Sequence, residues 1–186
     1  MSSIVRRLSF LFPPNVAASG QPSCVTIATP QEMEVFGHRL AKALGPKPGD
    51  FIMLQGPVGV GKSVLARGFI RKALANEGLK VQSPTFLLEQ EYEHPSKQFL
   101  IRHFDLYRFE PQMTEIDARA LDWSNALRND VCLVEWPERI KLKMLLPDEW
   151  LSIKLDFASG IISGQDNLVA ARTIEVVPTM KRDILG

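Results

Sequence analysis

Apolar residues recur along this chain in two rhythms, short unbroken or alternating runs and longer stretches spaced by three to four. Phe51-Ile52-Met53-Leu54, Phe99 through Phe104 and Val131-Cys132-Leu133-Val134 are short runs that predict buried strands, with Cys24-Val25-Thr26-Ile27 as another. Between the first two of these in the chain, Met33, Phe36, Leu40 and Leu44 share one helical face. That helix opens on Thr29, Pro30 and Glu32, a T-x-x-E capping pattern, and Gly45-Pro46 ends it. Val64 to Ala75 repeats the helical spacing through Leu65, Phe69, Ile70, Ala73 and Leu74, with Gly78 as its stop. A third helical segment is predicted over 113–127. Leu87 to Tyr92 alternates as a strand, and His94-Pro95-Ser96 breaks it from the next. Trp150 to Phe157 and Arg172 to Val177 alternate on either side of a loop containing Gly and Ser, and predict an antiparallel hairpin. Strands that feed helices, followed by more strands, predict an α/β sandwich around one mixed, mostly parallel sheet with an antiparallel edge hairpin.

Directly after Leu54 and Gln55 comes GPVGVGKS, Gly56 to Ser63, which satisfies G-x-x-x-x-G-K-[ST]. Gly56, Gly59 and Gly61 let the backbone turn tightly and bring its N–H groups against phosphate oxygens. Lys62 can reach β- and γ-phosphates, the Ser63 hydroxyl can coordinate Mg²⁺, and the following helix aims its positive end at the same place. The strand before and the helix after distinguish this loop from a chance glycine-rich turn. The expected ligand is a nucleoside triphosphate, ATP, held by Val58, Gly59, Val60, Gly61, Lys62, Ser63 and Val64. The architecture is accordingly that of a P-loop NTPase.

Two strand-ending acids add the chemistry that a phosphate loop lacks. Asp105 follows FLIRHF and Glu135 follows VCLV, and ligands of open α/β sheets lie beyond the carboxyl ends of strands. Mg²⁺ takes one or two carboxylates together with phosphate and water, so Ser63 and Glu135 are candidate metal ligands and Asp105 a candidate for ordering the attacking water. The division of roles between the two acids is open in the sequence. Thr85, in Ser83-Pro84-Thr85-Phe86, could present its hydroxyl to the γ-phosphate or serve only as a local cap. Asp105, Glu135 and Thr85 form the candidate catalytic set. Trp136 and Phe86 could flank the site or a partner surface, although for aromatics beside buried strands plain core packing is the simpler reading. His38, His94 and His103 have no metal-ligand spacing, and Arg67, Arg108 and Arg139 read as surface ion-pair partners.

Composition narrows the picture further. With 186 residues, 45% hydrophobic and 23% charged, the chain suits one domain with a full core. A net charge of +1 provides no bulk field to hold nucleic acid. Cys24 and Cys132 are too far apart to suggest a disulfide framework, and Cys132 reads as a buried thiol in a reducing compartment. No apolar run approaches the ~18 residues of a membrane span. Residues Met1 to Gln31 carry no Asp or Glu while including Arg6 and Arg7. Such a leader is either a disordered tail, leaving the protein cytoplasmic, or a transit peptide to mitochondrion or plastid. The expected divisions are a leader over 1–23, an ATPase domain over 24–178 and a tail over 179–186.

GPVGVGKS with Ala66-Arg67-Gly68, then SPTF, then HFDLYR (His103 to Arg108) and LVEWPER (Leu133 to Arg139) occur in an order and spacing that resemble the TsaE (YjeE) family of bacterial-type ATPases. The resemblance covers about Thr26 to Phe157. It implies a weak ATPase that assists formation of the threonylcarbamoyl group on the adenosine beside the tRNA anticodon. It also implies TsaB and TsaD type partners, with tRNA met only through their complex. By the same resemblance, Ser63 and Glu135 are associated with Mg²⁺, Asp105 and Thr85 with activity, and Trp136 with the nucleotide site. Pro57-Val58 stands where members commonly have Asp-Leu, and Ala120 near a usual glycine. Two rival readings are a small-molecule kinase on the same fold and a non-catalytic adaptor whose docking ATP controls. A kinase would require an acceptor pocket and an Arg-bearing lid, and no compact Arg cluster occurs beyond Ile140.

Overall fold

Each short apolar run becomes a strand of one sheet. The computed structural model describes residues 23–161 and 170–180. The order is β1 (Ser23–Ile27), α1 (Pro30–Leu44), β2 (Phe51–Gln55), α2 (Lys62–Ala73), β3 (Glu89–Glu93) and β4 (Leu100–Asp105). Then follow α3 (Glu115–Ala120), α4 (Trp123–Asn129), β5 (Val131–Glu135), β6 (Glu149–Ile161) and β7 (Ala170–Met180). The seven strands lie in the order β1-β7-β6-β2-β5-β4-β3. β2 runs parallel to β5 and β6, and β4 parallel to β5, while β3 and β7 pair antiparallel with their neighbours. The parallel centre and antiparallel flanks match the expectation from sequence, with β1 added outside the β6–β7 hairpin. The leader before Ser23, the hairpin loop and the final six residues lie outside the described residues.

Alternation along the central strands sends side chains to two cores. Ile52, Leu54, Leu133, Ile101 and Ile153 pack beneath α1 and α2. Phe51, Met53, Cys132, Val134 and Phe104 pack on the opposite face against Met113, Ala118, Trp123 and Ala126. Burial pushes the Cys132 thiol well above its usual range, as expected of an inert core cysteine.

α1 starts as its sequence predicts: Thr29 accepts the Glu32 N–H at 3.1 Å, although the Glu32 carboxylate reaches back to the Ala28 N–H rather than that of Thr29. The segment predicted as one helix over 113–127 is instead two. Thr114 and Asp117 form a capping box that opens α3, and Asp122 adopts a left-handed backbone (φ 46°) before α4. The break turns Trp123 fully inward, where its indole N–H donates to the Leu145 carbonyl at 2.8 Å and its ring meets Phe51 and Phe104.

α1 and α2 cross at two glycines. A Cβ on Gly68 would lie 2.1 Å from the Glu34 carbonyl oxygen, and one on Gly37 2.3 Å from that of Leu65. Bare backbone is therefore what lets the helix behind the phosphate loop seat against α1.

The β3 rim is held to β4 by Arg102, only 7% exposed. Its guanidinium meets Glu89 at 2.9 Å, Glu91 at 3.1 Å and Asp130 at 2.8 Å. Three carboxylates thus share one cation. Burial pushes Glu89 up to about 7, against the pull of Arg102 and with help from Glu91 and Asp130. A carboxyl raised in the folded state contributes stability that is fully present below its unfolded value and lost as pH rises through about 7. Thermal stability should accordingly decline between about pH 4.5 and 7, and Glu89→Gln should flatten that decline. An unchanged pH profile in the variant would remove Glu89 as its source.

Candidate functional site

The site is assembled where β2, β4 and β5 end side by side. At Gly56 (φ 142°) the chain leaves β2 so close to β6 that a Cβ would lie 2.3 Å from the Leu155 carbonyl oxygen. At Gly61 (φ 113°) it turns left-handed into α2, whose first residue is Lys62. The Lys62 ammonium donates to the carbonyls of Gly56 at 2.7 Å and Pro57 at 3.0 Å, and lies 3.9 Å from the centre of the Trp136 ring. Burial lowers the pKa of this ammonium, opposed by the charges of Glu135, Glu138 and Asp105.

Asp105 and Glu135 are register partners on adjacent parallel strands, on the face covered by α2, and each is 2% exposed. The Ser63 hydroxyl donates to Glu135 Oε2 at 3.1 Å. Asp105 Oδ2 accepts from the hydroxyls of Thr85 at 2.5 Å and Ser83 at 3.1 Å, and its Oδ1 accepts the Tyr107 N–H at 3.0 Å. The loop bearing Thr85 is thereby fastened to the end of β4. It is held again where the Asp105 N–H donates to the Leu88 carbonyl at 3.0 Å.

These groups line a single cavity of about 360 Å³. Val58, Gly59, Gly61, Lys62, Ser63 and Val64 form one side, and Ser83, Thr85, Asp105, Tyr107, Glu135 and Trp136 the other. Val60 is the one candidate that faces elsewhere: its side chain is fully buried in the core, and its N–H donates to the Pro57 carbonyl at 3.4 Å. Trp136, with a left-handed backbone (φ 59°), spans both earlier readings, lining the cavity beside Tyr107 while packing partly against the second core. Phe86 is not a core residue. It is 86% exposed, with the Arg108 guanidinium 6.0 Å from its ring. Arg67 and Arg139 form the expected ion pairs, with Glu34 and Glu110.

Sequence reasoning missed three participants: Ser83, Tyr107 and His103. His103 is fully buried and its Nε2 lies 2.8 Å from Glu135 Oε1. The signal was available, since His103 precedes Asp105 by two on a strand and so shares its face. Among the described residues, no group of three or more His, Cys, Asp or Glu side chains is disposed to hold a metal ion. The Ser63 hydroxyl and the carboxylates of Glu135 and Asp105 are hard oxygen donors. That set fits Mg²⁺, which completes its shell with phosphate oxygens and water. Among the same residues, no helix is long and apolar enough to cross a membrane.

A glycine-rich loop between a central parallel strand and a helix, its lysine at the helix start and its serine on a strand-end carboxylate, defines a P-loop nucleotide-binding protein. The sequence match is more specific. The chain belongs to the TsaE family, whose model, described as threonylcarbamoyl adenosine biosynthesis protein TsaE, matches residues 27–161. A relative from Rickettsia conorii is 34% identical over 116 residues, 62% of this chain and 62% of that protein. One from Streptomyces coelicolor is 36% identical over 132 residues, 69% of this chain and 81% of that protein. Both are tRNA threonylcarbamoyladenosine biosynthesis proteins TsaE. The chain spans about three-fifths of the Rickettsia conorii and Rickettsia felis relatives, 62% and 60% of their lengths. The crystal structure of Bacillus subtilis YdiB superposes with a TM-score of 0.57 at 26% identity, covering 84% of this chain and 86% of that one.

Proposed function

We propose that this protein is an Mg²⁺-dependent ATPase that supports formation of the N6-threonylcarbamoyl group on the adenosine beside the tRNA anticodon, acting with TsaB and TsaD type partners. The observation that carries the reading is the Ser63–Glu135 contact, set in one cavity with Lys62 and the Thr85–Asp105 pair. Family membership supplies the pathway. The relatives' names supply tRNA threonylcarbamoyladenosine.

In this reading the backbone N–H groups of the loop cradle the phosphate chain, and Lys62 exchanges its two carbonyl acceptors for phosphate oxygens. Ser63 and Glu135 would hold Mg²⁺, which neutralises charge on the β- and γ-oxygens when bound with ATP. Asp105 already accepts three hydrogen bonds, so its part is to fix the Thr85 loop and orient water rather than to abstract a proton. Thr85 reads the γ-phosphate by exchanging its bond to Asp105 for one to the nucleotide. Trp136 and Tyr107 wall the site against bulk water.

Phosphate release from ATP tests this, with the protein alone or with TsaB and TsaD type partners, in Mg²⁺ or EDTA. Slow turnover is expected, raised by the partners and lost in EDTA. Glu135→Ala and Asp105→Ala should each reduce it by about 10²-fold. Full Mg²⁺-dependent turnover in both variants would refute the assignment. Turnover that answers only to a small acceptor would make the protein a kinase.

A further inference from the structure

We infer that His103 is a positioning residue for the metal-binding carboxylate: its Nε2–H holds Glu135 Oε1 so that Oε2 alone is turned toward Ser63 and the nucleotide. The inference rests on the reading above, in which Glu135 and Ser63 hold Mg²⁺.

The geometry is specific. His103 and Glu135 stand on neighbouring parallel strands, with His103 paired in register to Leu133 and Asp105 to Glu135. His103 therefore lies one pleat behind the carboxylate on the same face, and its ring spans the step to reach Oε1 at 2.8 Å. A carboxylate only accepts, so the shared proton sits on Nε2. The two Glu135 oxygens are thus divided, Oε1 to His103 and Oε2 to Ser63 at 3.1 Å. Glutamate has three rotatable side-chain bonds, and a tether on one oxygen sets where the other points.

Burial argues that this bond is the reason for a histidine here. The ring is fully buried, with Ile101 two residues earlier on its strand and Leu133 its register partner, both in the apolar core. Its other nitrogen, Nδ1, has no hydrogen-bond partner among the described residues. A leucine would suit such surroundings better, since burying a polar atom without a partner is unfavourable. Among the described residues, the one hydrogen-bond partner of its ring is the carboxylate that adjoins the phosphate loop. Partners that orient a metal's ligands commonly alter metal affinity by about 10–100-fold when removed.

The test uses the whole protein and a fluorescent N-methylanthraniloyl ATP, whose binding is measured against Mg²⁺ concentration and again in EDTA. His103→Leu removes the donor and keeps the site apolar. His103→Gln places an amide N–H where Nε2 was, whereas His103→Asn places it short of Glu135. We expect the Mg²⁺ concentration for half-maximal binding to rise about tenfold in the Leu and Asn variants. It should return toward wild type in Gln, with affinity in EDTA the same in all. A merely structural histidine would change the melting temperature without this Leu–Asn–Gln order. If His103→Leu does not fold, the Asn and Gln comparison decides alone. An unchanged Mg²⁺ midpoint in Asn, while Glu135→Gln shifts it, overturns the role of His103 only. An unchanged midpoint in Glu135→Gln overturns the metal reading itself, and this inference with it.

Discussion

Lys62→Ala should lower nucleotide turnover by about 10²–10³-fold, the effect of removing a pre-set donor from developing charge, with little change in thermal stability. Lys62 is 5% exposed, and its burial is offset by two carbonyl acceptors and the Trp136 ring. Those acceptors belong to Gly56 and Pro57, in the very loop that would carry the phosphates. Removing the side chain takes away a desolvated cation together with its bonds, two changes that oppose each other in stability. In the presence of a triphosphate there is no such compensation, because among the described residues no other lysine or arginine lines the cavity. Phosphate release and binding of the fluorescent nucleotide, measured beside a thermal melt, check both halves. A variant with wild-type turnover would refute the role given to Lys62. A variant that melts far lower would show the lysine to be structural.

Gly68→Ala should strongly destabilise the fold. The new Cβ would lie 2.1 Å from the Glu34 carbonyl oxygen and 2.8 Å from its carbon, both backbone atoms of α1 that cannot swing aside. Relief requires the two helices to separate, and α2 cannot move without moving Lys62 and Ser63 at its first turn. Overpacking of this kind costs about 3 kcal/mol, or a fall of about 6–12 °C in melting temperature for a chain of this size. Gly78→Ala is the control: its Cβ would meet only the Asn76 side chain, at 3.8 Å, and should leave the melt near wild type. Equal melting temperatures in the two variants would show that the helix crossing yields more readily than its geometry implies.

Much of this was legible in the sequence because the informative signals are local. Strand, glycine loop and helix at 51–75 are contiguous, so a motif of eight residues fixes both the turn chemistry and the elements around it. Asp105 and Glu135 could be placed because acids that end apolar runs lie at carboxyl edges of strands. The losses came where distant pieces decide the outcome. The helix predicted over 113–127 is broken at Asp122 because Trp123 must reach Phe51, Phe104 and the Leu145 carbonyl, partners from three other segments. For Phe86 the core is the simpler reading over the site's flank or a partner surface because it neighbours buried strands, but its loop is tied down through Ser83 and Thr85, and the ring stays outside. Arg102 gave no sign of its burial, since its three carboxylates come from β3 and from Asp130. His103 was set aside for want of metal spacing, a test that looks for ligands and not for what holds them.

The strand order carries a consequence for how the molecule comes into being. β2, which delivers the glycine loop, pairs with β5 and β6 and with no strand nearer in the chain. β1, the first strand described, is completed by β7, the last. During synthesis the loop therefore leaves the ribosome before β5 and β6, the strands that flank β2 in the sheet. Topologies with such distant pairings fold slowly. A ligand that binds only the finished fold stabilises only the finished fold. Nucleotide in the surrounding solution should thus protect protein that includes β6 and β7 from proteolysis while doing nothing for chains cut short before β6, and quality control would meet the two as different substrates.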